Sequence, residues 1–227
     1  MAGDDNEKPK TKKNRNKMIK NIKICMMLAM LSAVAIGCKD KEGDDAGDSG
    51  YVNGHEYVDL GLSVKWATCN VGASSMADSG SYYAWGEKET KIDYADIYST
   101  TYGKGMSDIS GDLAYDVARA EWGGTWRMPT KAEYDELRTK CSWKWTSQGG
   151  KYGYLITGTN DNTIFLPAAG WKHSVDTYRY DEFGYYWTST PVDGDNTKSY
   201  YMDFSSGDKG IYAYQRYDGL QIRAVTQ

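Results

Sequence analysis

The chain has 227 residues, with 31 acidic against 27 basic side chains and a formal net charge of −4, a balance that provides no basic surface for nucleic acid or an anionic membrane. Tyrosine supplies 20 residues and phenylalanine 3, which burial alone does not explain, because a buried tyrosine hydroxyl must find a partner. Only two histidines are present, and His55 and His173 are too far apart in sequence to suggest a triad.

Residues 1–17 are polar and precede Met18, which opens a complete signal segment of its own and is an alternative start. The apolar run 24–36 follows Lys20 and Lys23 and ends in Ala35-Ile36-Gly37-Cys38. It is shorter than the roughly 20 residues a spanning helix needs, and its basic flank and small exit residues are those of a cleaved signal. Small residues directly before a cysteine resemble a lipobox, so Cys38 is expected to become the lipid-modified first residue of an exported, membrane-anchored protein; ordinary secretory cleavage is the alternative. Residues 1–37 hold eight basic and three acidic residues, so their removal takes the net charge from −4 to −9. Residues 38–50, rich in Asp, Glu and Gly, read as a flexible acidic tether. Acidic residues close behind the cysteine also resemble the signal that sends some lipoproteins to the outer face of the outer membrane.

Residues 51–227 have the length of one domain, without an internal low-complexity break. Residues 57–60 and 64–67 read as short strands around Gly61. A helix over 113–122, with Leu113, Val117 and Ala118 toward the core, is expected to stop at Gly123-Gly124. The segment Pro129-Thr130-Lys131-Ala132-Glu133 carries a capping box, and Tyr134, Leu137 and Cys141 share one face of a helix over 131–140. Residues 154–158 pair with 163–166 across Asn160-Asp161-Asn162. A meander of strands over 185–189, 200–204, 211–214 and 220–225 follows, and Leu220, Ile222 and Ala224 alternate with Gln221, Arg223 and Val225, as on a strand with one buried face. The expected class is α+β. Cys25 leaves with the signal and Cys38 takes lipid, so Cys69 and Cys141 remain as one disulfide pair or as two separate buried thiols.

Chemical motifs are sparse. There is no CxxC, HExxH, P-loop or GxGxxG, so no metal, nucleotide or other cofactor is expected, and the protein reads as a non-enzyme. Asp193, Asp195 and Asn196 lack the spacing of a calcium loop and fit a solvated turn better. Asp181 and Glu182, as strand neighbours, would point to opposite faces, and no spacing argument joins Glu87 with Glu89, so neither reads as a glycosidase pair. Trp66, Trp85, Trp122, Trp126, Trp171 and Trp187 stand singly, three of them beside a glycine, and read as core pins.

The late tyrosines, at 178, 180, 185, 186, 200, 201, 212, 214 and 217, are interleaved with Ser, Asp, Gly and Asn, a composition suited to contact surfaces. About half are expected to ladder across strands, chiefly Tyr185, Tyr200 and one of Tyr212 or Tyr214. The ligand surface is assigned to the loops around 178–181, 193–198 and 208–218, with Tyr178, Tyr180, Asp195, Asn196, Tyr212, Tyr214, Arg216 and Tyr217 as its contact residues. The expected partner is a protein or glycan ligand.

The runs Asp59-Leu60-Gly61-Leu62, Lys65-Trp66-Ala67-Thr68-Cys69-Asn70-Val71-Gly72-Ala73, Tyr83-Ala84-Trp85-Gly86-Glu87, Trp122-Gly123-Gly124-Thr125-Trp126-Arg127-Met128-Pro129-Thr130, Phe165-Leu166-Pro167-Ala168-Ala169-Gly170 and Tyr186-Trp187-Thr188-Ser189-Thr190 resemble, in order, the fibrobacter major paralogous domain family of surface lipoproteins. Arg127-Met128-Pro129-Thr130 with Ala132-Glu133-Tyr134 is also similar to a segment of the formylglycine-generating fold. That likeness implies a C-type-lectin-like architecture of two helices, short antiparallel strands and much irregular loop. The cysteine pair of those enzymes is missing after Cys141, as are the Glu-Pro-Asn and Trp-Asn-Asp motifs of calcium-dependent lectins. The C-terminal third is similar to retroelement-diversified proteins, whose variable residues sit near the C-terminus of such a scaffold. Together these likenesses imply a surface-displayed binding or adhesion lipoprotein; an enzyme on the formylglycine-type fold and a structural subunit of a surface assembly are the alternatives.

Overall fold

Short β-prone runs separated by Gly, Asn and Asp favour pairing between near neighbours in sequence, and antiparallel hairpins dominate the protein. The computed structural model describes residues 49–227; the signal segment, Cys38 and the tether up to residue 48 lie outside the described residues. β1 (Ser49–Val52), β2 (His55–Val58) and β3 (Lys65–Ala67) pair in succession, and β12 (Val225–Thr226) closes the sheet beside β3. β4 (Ser142–Gln148), β5 (Lys151–Thr157) and β6 (Thr163–Pro167) form a second sheet. Its first hairpin turns at Gly149-Gly150, whose φ values of 55° and 78° are those a primed two-residue turn needs. β7 (Trp171–His173) and β8 (Asp176–Tyr178) make a small hairpin, and β9 (Phe183–Pro191), β10 (Lys198–Ser205) and β11 (Lys209–Gln215) make three strands of the expected meander in the order β11-β10-β9, while its expected fourth strand over 220–225 is not part of that sheet.

Two α-helices occur among the described residues. α2 (Lys131–Lys140) has the expected bounds, with both arms of the capping box in place: Thr130 accepts from the Glu133 N–H and the Glu133 carboxylate accepts from the Thr130 N–H. Tyr134 and Leu137 are fully buried on its inner face, against β9, β10 and β11. Thr130→Ala is expected to cost about 1 kcal/mol in urea unfolding, the usual worth of a side-chain cap. α1 (Val117–Trp122) is shorter than the sequence pattern suggests. Asp116 caps it, accepting from Arg119 N at 3.1 Å, while its second oxygen accepts from Gly111 N and Met128 N at 2.7 Å each. This buried carboxylate holds the preceding residues in turns, so Leu113 is 62% exposed instead of facing the core.

The β9–β10–β11 sheet serves two cores. Tyr201 lies opposite Trp187 on one side and Tyr212 on the other, whereas Met202 lies opposite Tyr186 and Ile211. Since successive side chains point to opposite faces, Tyr185, Trp187 and Tyr201 join a core with Trp85, Trp126 and Ile222. Tyr186, Met202 and Phe204 join another with Trp66, Tyr134, Leu137 and Ile156.

The last segment threads between these cores. Tyr83 and Leu220 exchange backbone hydrogen bonds of 2.9 and 3.1 Å, Trp187 N donates to Gln221 O at 3.0 Å, and Val71 N and Ala67 N donate to Ile222 O and Ala224 O at 2.9 Å. Both alternating sets of residues 220–225 are therefore buried, in contrast to the single buried face expected from their pattern. Arg223 enters the interior with its own acceptors: Asn70 Oδ1 at 2.9 Å, Ala67 O and Thr68 O at 3.0 Å, and Phe165 O at 2.9 Å.

The expected α+β, C-type-lectin-like class does not hold. Twelve strands in four small antiparallel sheets carry the described residues, and the two α-helices contribute only 6 and 10 residues. The local signals for helix were sound, but the hairpins around them split into separate sheets packed about two cores, so the fold is mainly β. The similarity to diversified proteins thereby loses its scaffold component and retains only the composition of the C-terminal third.

Candidate binding face

Register and the β7–β8 hairpin gather the late aromatic residues. Tyr178 stacks on Trp171 with ring centres 5.2 Å apart, Trp171 meets Tyr185 at 4.8 Å, and Tyr185 lies parallel to Tyr201 at 5.6 Å. From Tyr201 the chain of rings continues to Tyr214 at 5.5 Å and Tyr212 at 6.3 Å. In the other direction His173 contacts Tyr178 at 6.4 Å and Tyr217 at 6.0 Å, and Tyr217 meets Tyr102 at 5.2 Å. Offset and edge-on aromatic contacts at these separations each add about 0.5–1.5 kcal/mol beyond burial. The inner rings, Tyr185 and Tyr201, are buried and hold the surface rigid, whereas Tyr178 and Tyr212 are 40% and 48% exposed. Tyr214 and Tyr217 are half-buried between them.

Two acids lie within this aromatic field. Burial raises the Asp203 carboxyl to about 6, against a pull downward from the Tyr201 hydroxyl and a further push from nearby Asp208. Asp203 in turn raises the hydroxyls of Tyr185, Tyr201 and Tyr214, for which burial is the larger cause. Asp218 is also raised by burial to about 6, opposed by His173, whose Nδ1 sits 2.7 Å from its Oδ1. The acid fixes the imidazole while the ring stays half-exposed.

A carboxyl raised from its ordinary 3.8 to about 6 stabilises the fold fully below the lower value and loses that contribution as pH rises to the upper one. Asp203→Asn is thus expected to stabilise the protein at pH 7.5 by about 1–2 kcal/mol, after screening at a partly exposed site, and to leave it unchanged at pH 3.5. Urea unfolding at the two pH values checks this.

The surface expected from sequence is only partly assembled. Tyr178, Tyr212, Tyr214 and Tyr217 come together. Tyr180 lies elsewhere, its hydroxyl accepting from Ser79 Oγ at 3.2 Å and its ring under Lys151 Nζ at 4.7 Å. Asp195 is engaged in its own turn, with Thr197 N at 3.0 Å and Lys198 Nζ at 3.2 Å, and the carbonyl of Asn196 accepts from Gly103 N at 3.0 Å. Arg216 is not a surface residue: it is fully buried, its guanidinium lies 4.4 Å from the Trp85 ring centre, and it donates to Lys198 O, Ser199 Oγ and Lys104 O. Tyr200 does not ladder with Tyr185; it faces the opposite side of β10, under Lys131 Nζ at 4.1 Å.

Sequence reasoning missed Trp171 as part of the face, along with His173, Tyr201, Asp203 and Tyr102. A usable signal existed for Asp203, a lone charge inside the apolar run Tyr201-Met202-Asp203-Phe204. Trp66, Trp85, Trp122, Trp126 and Trp187 are buried as expected.

Cys69 and Cys141 are separate, half-buried free thiols, which is the second of the two alternatives and not the disulfide. Cys69 lies beside Thr68 Oγ1 at 3.7 Å, next to His55 and Trp122, whereas Cys141 ends α2 and packs on the second core. Burial raises the Cys141 thiol to about 11. Among the described residues no group of three or more His, Cys, Asp and Glu is arranged to hold a metal ion, and no helix is long and apolar enough to cross a membrane.

No curated protein and no solved structure matches the chain. A family model described as a domain of unknown function, DUF8237, matches residues 145–225, the stretch that runs from β4 through the aromatic face to the buried C-terminal segment.

Proposed function

We propose that the protein is a surface-displayed, lipid-anchored binding protein whose aromatic face grips a protein partner. The observation that carries this reading is the continuous run of rings from Tyr102 to Tyr212, rigid on its buried side and open at Tyr178 and Tyr212. Tyrosine brings broad contact area with few rotatable bonds, and the interspersed Ser, Gly and Asp add adaptable hydrogen bonding. The breadth of the face favours a macromolecular surface over a small ligand, which would take an enclosed pocket. Display rests on the sequence: the basic flank, the apolar run and the small residues before Cys38 supply the anchor, and the acidic tether supplies reach.

The compact unit 46–227 is the reagent for the test. An array of surface proteins and glycans probed with it should yield a protein hit, and Tyr212, Tyr214 and Tyr217 changed together to Ala should abolish that hit. Unchanged binding by the triple variant would overturn the reading.

A further inference from the structure

A second site lies where the tip of the β4–β5 hairpin meets the start of β9 and the end of β10. Trp145 lies opposite Tyr154 and Ser147 opposite Tyr152, so Trp145 and Tyr152 are diagonal neighbours on one face of the hairpin. Their rings are parallel to within 5°, with centres 6.4 Å apart. Trp145 is fixed from beneath by Tyr154 at 5.1 Å and Phe204 at 6.4 Å, while Tyr152 is 53% exposed. The two stacked rings line one wall of a cleft of about 400 Å³, within the range of small-ligand sites.

Phe183 adds a third aromatic ring to the lining, and the rest of the wall is polar. Asp181, Glu182, Ser205 and Ser206 line the cleft. Asp181 is placed firmly: its N–H donates to Ala168 O at 2.8 Å, and its φ of 61° is a conformation few non-glycine residues adopt. Arg179 pairs with Glu182 at 3.0 Å and lies over the Phe183 ring at 5.5 Å, at the edge of the cleft, and Lys151 lies over the Tyr180 ring. The cleft therefore pairs aromatic surface with hydroxyl groups and two carboxylates, only one of which is paired with a cation among the described residues, so its charge balance is negative.

We infer that this cleft binds a neutral sugar: the C–H face of a pyranose lies against the exposed Tyr152 ring of the Trp145–Tyr152 stack, and its hydroxyls donate to Asp181 and Glu182 and exchange hydrogen bonds with Ser205 and Ser206. Ring faces carry negative charge and attract the weakly positive C–H groups of a sugar. Hydroxyl donation to a carboxylate is stronger than to a neutral acceptor, and serine can both donate and accept. An acidic sugar would meet like charge. The site shares no residue with the aromatic face proposed for a protein partner.

Affinity electrophoresis of the full-length chain through gels containing β-glucan, mannan, xylan or galactan tests the assignment, with polygalacturonate as the acidic control. At least one neutral polymer should retard the protein and polygalacturonate should not. Trp145→Ala and Tyr152→Ala should each weaken retardation about tenfold or more, with Asp181→Asn acting in the same direction. Tyr212→Ala should leave retardation unchanged, so failure at this cleft is distinguishable from failure at the aromatic face. If Trp145→Ala does not fold by circular dichroism, the exposed Tyr152 alone decides. No retardation by any neutral polymer, retardation insensitive to Tyr152→Ala, or equal retardation by polygalacturonate would each overturn the assignment.

Discussion

Arg223→Lys is expected to destabilise the protein by roughly 3–5 kcal/mol, the cost of breaking a buried charged network. The guanidinium is fully buried, and burial pushes its pKa down. Its hydrogen-bond partners are neutral oxygens, three of them main-chain carbonyls and one the Asn70 amide. These acceptors come from separate parts of the chain: residues 67–70 at the end of β3 and just beyond it, and Phe165 in β6. One planar fork thus ties the first sheet to the second across the buried C-terminal segment. Lysine carries three donors on a single nitrogen and cannot span that width, so at least one carbonyl would be left buried and unpaired, at about 1–3 kcal/mol each. Arg223→Met would strand all four acceptors and is expected to prevent folding. Urea unfolding of Arg223→Lys beside Arg138→Lys, a half-buried surface position of the helix paired with Asp135, gives the comparison. A loss below about 1 kcal/mol at Arg223 would mean that the network is dispensable.

The contrast between α2 and residues 220–225 shows what was legible in the sequence. A capping box and an i, i+3 stripe are local features, so Thr130, Glu133, Tyr134 and Leu137 could be placed without knowing the fold. Residues 220–225 required knowledge of what lies on either side. Gln221 and Arg223 are polar, so alternation placed them outside, but the Arg223 guanidinium finds buried acceptors and the Gln221 backbone pairs with Tyr185 and Trp187, while the Gln221 side-chain amide is buried without a partner. The α1 start was hidden for a similar reason: Asp116 caps the helix and simultaneously holds Gly111 and Met128, a loop closure invisible to a helical pattern. The C-type-lectin expectation failed at the same level, since short motifs around Trp126 and Pro129 do not report how separate hairpins assemble. Within the candidate face, tyrosines flanked by small polar residues were legible from composition, whereas Trp171, Tyr201 and Asp203 joined them only through cross-strand register.

That register also predicts a separation of roles between two tyrosines paired across β10 and β11. Tyr201 is 6% exposed and touches Tyr185, Trp187, Tyr212 and Tyr214, so Tyr201→Ala opens a cavity at the junction of the first core and the aromatic face. The expected cost is about 3–5 kcal/mol, as for other large aromatic truncations. Tyr201→Phe keeps the packing and loses only a long contact of 3.4 Å with Asp203, so it is expected to be near neutral. Tyr212, opposite Tyr201 in the register but half out of the surface, leaves no enclosed void when shortened. Tyr212→Ala is expected to change stability by under about 1 kcal/mol while weakening the protein partner about 30-fold, which corresponds to the loss of an interface anchor worth about 2 kcal/mol. Denaturant unfolding and partner titration of the same three variants separate the two roles. If Tyr212→Ala bound its partner as tightly as the unaltered protein, exposure of the outer rings would have no bearing on recognition. The excess of tyrosine would then need another explanation, one based on the buried rings at Tyr185, Tyr186 and Tyr201 alone.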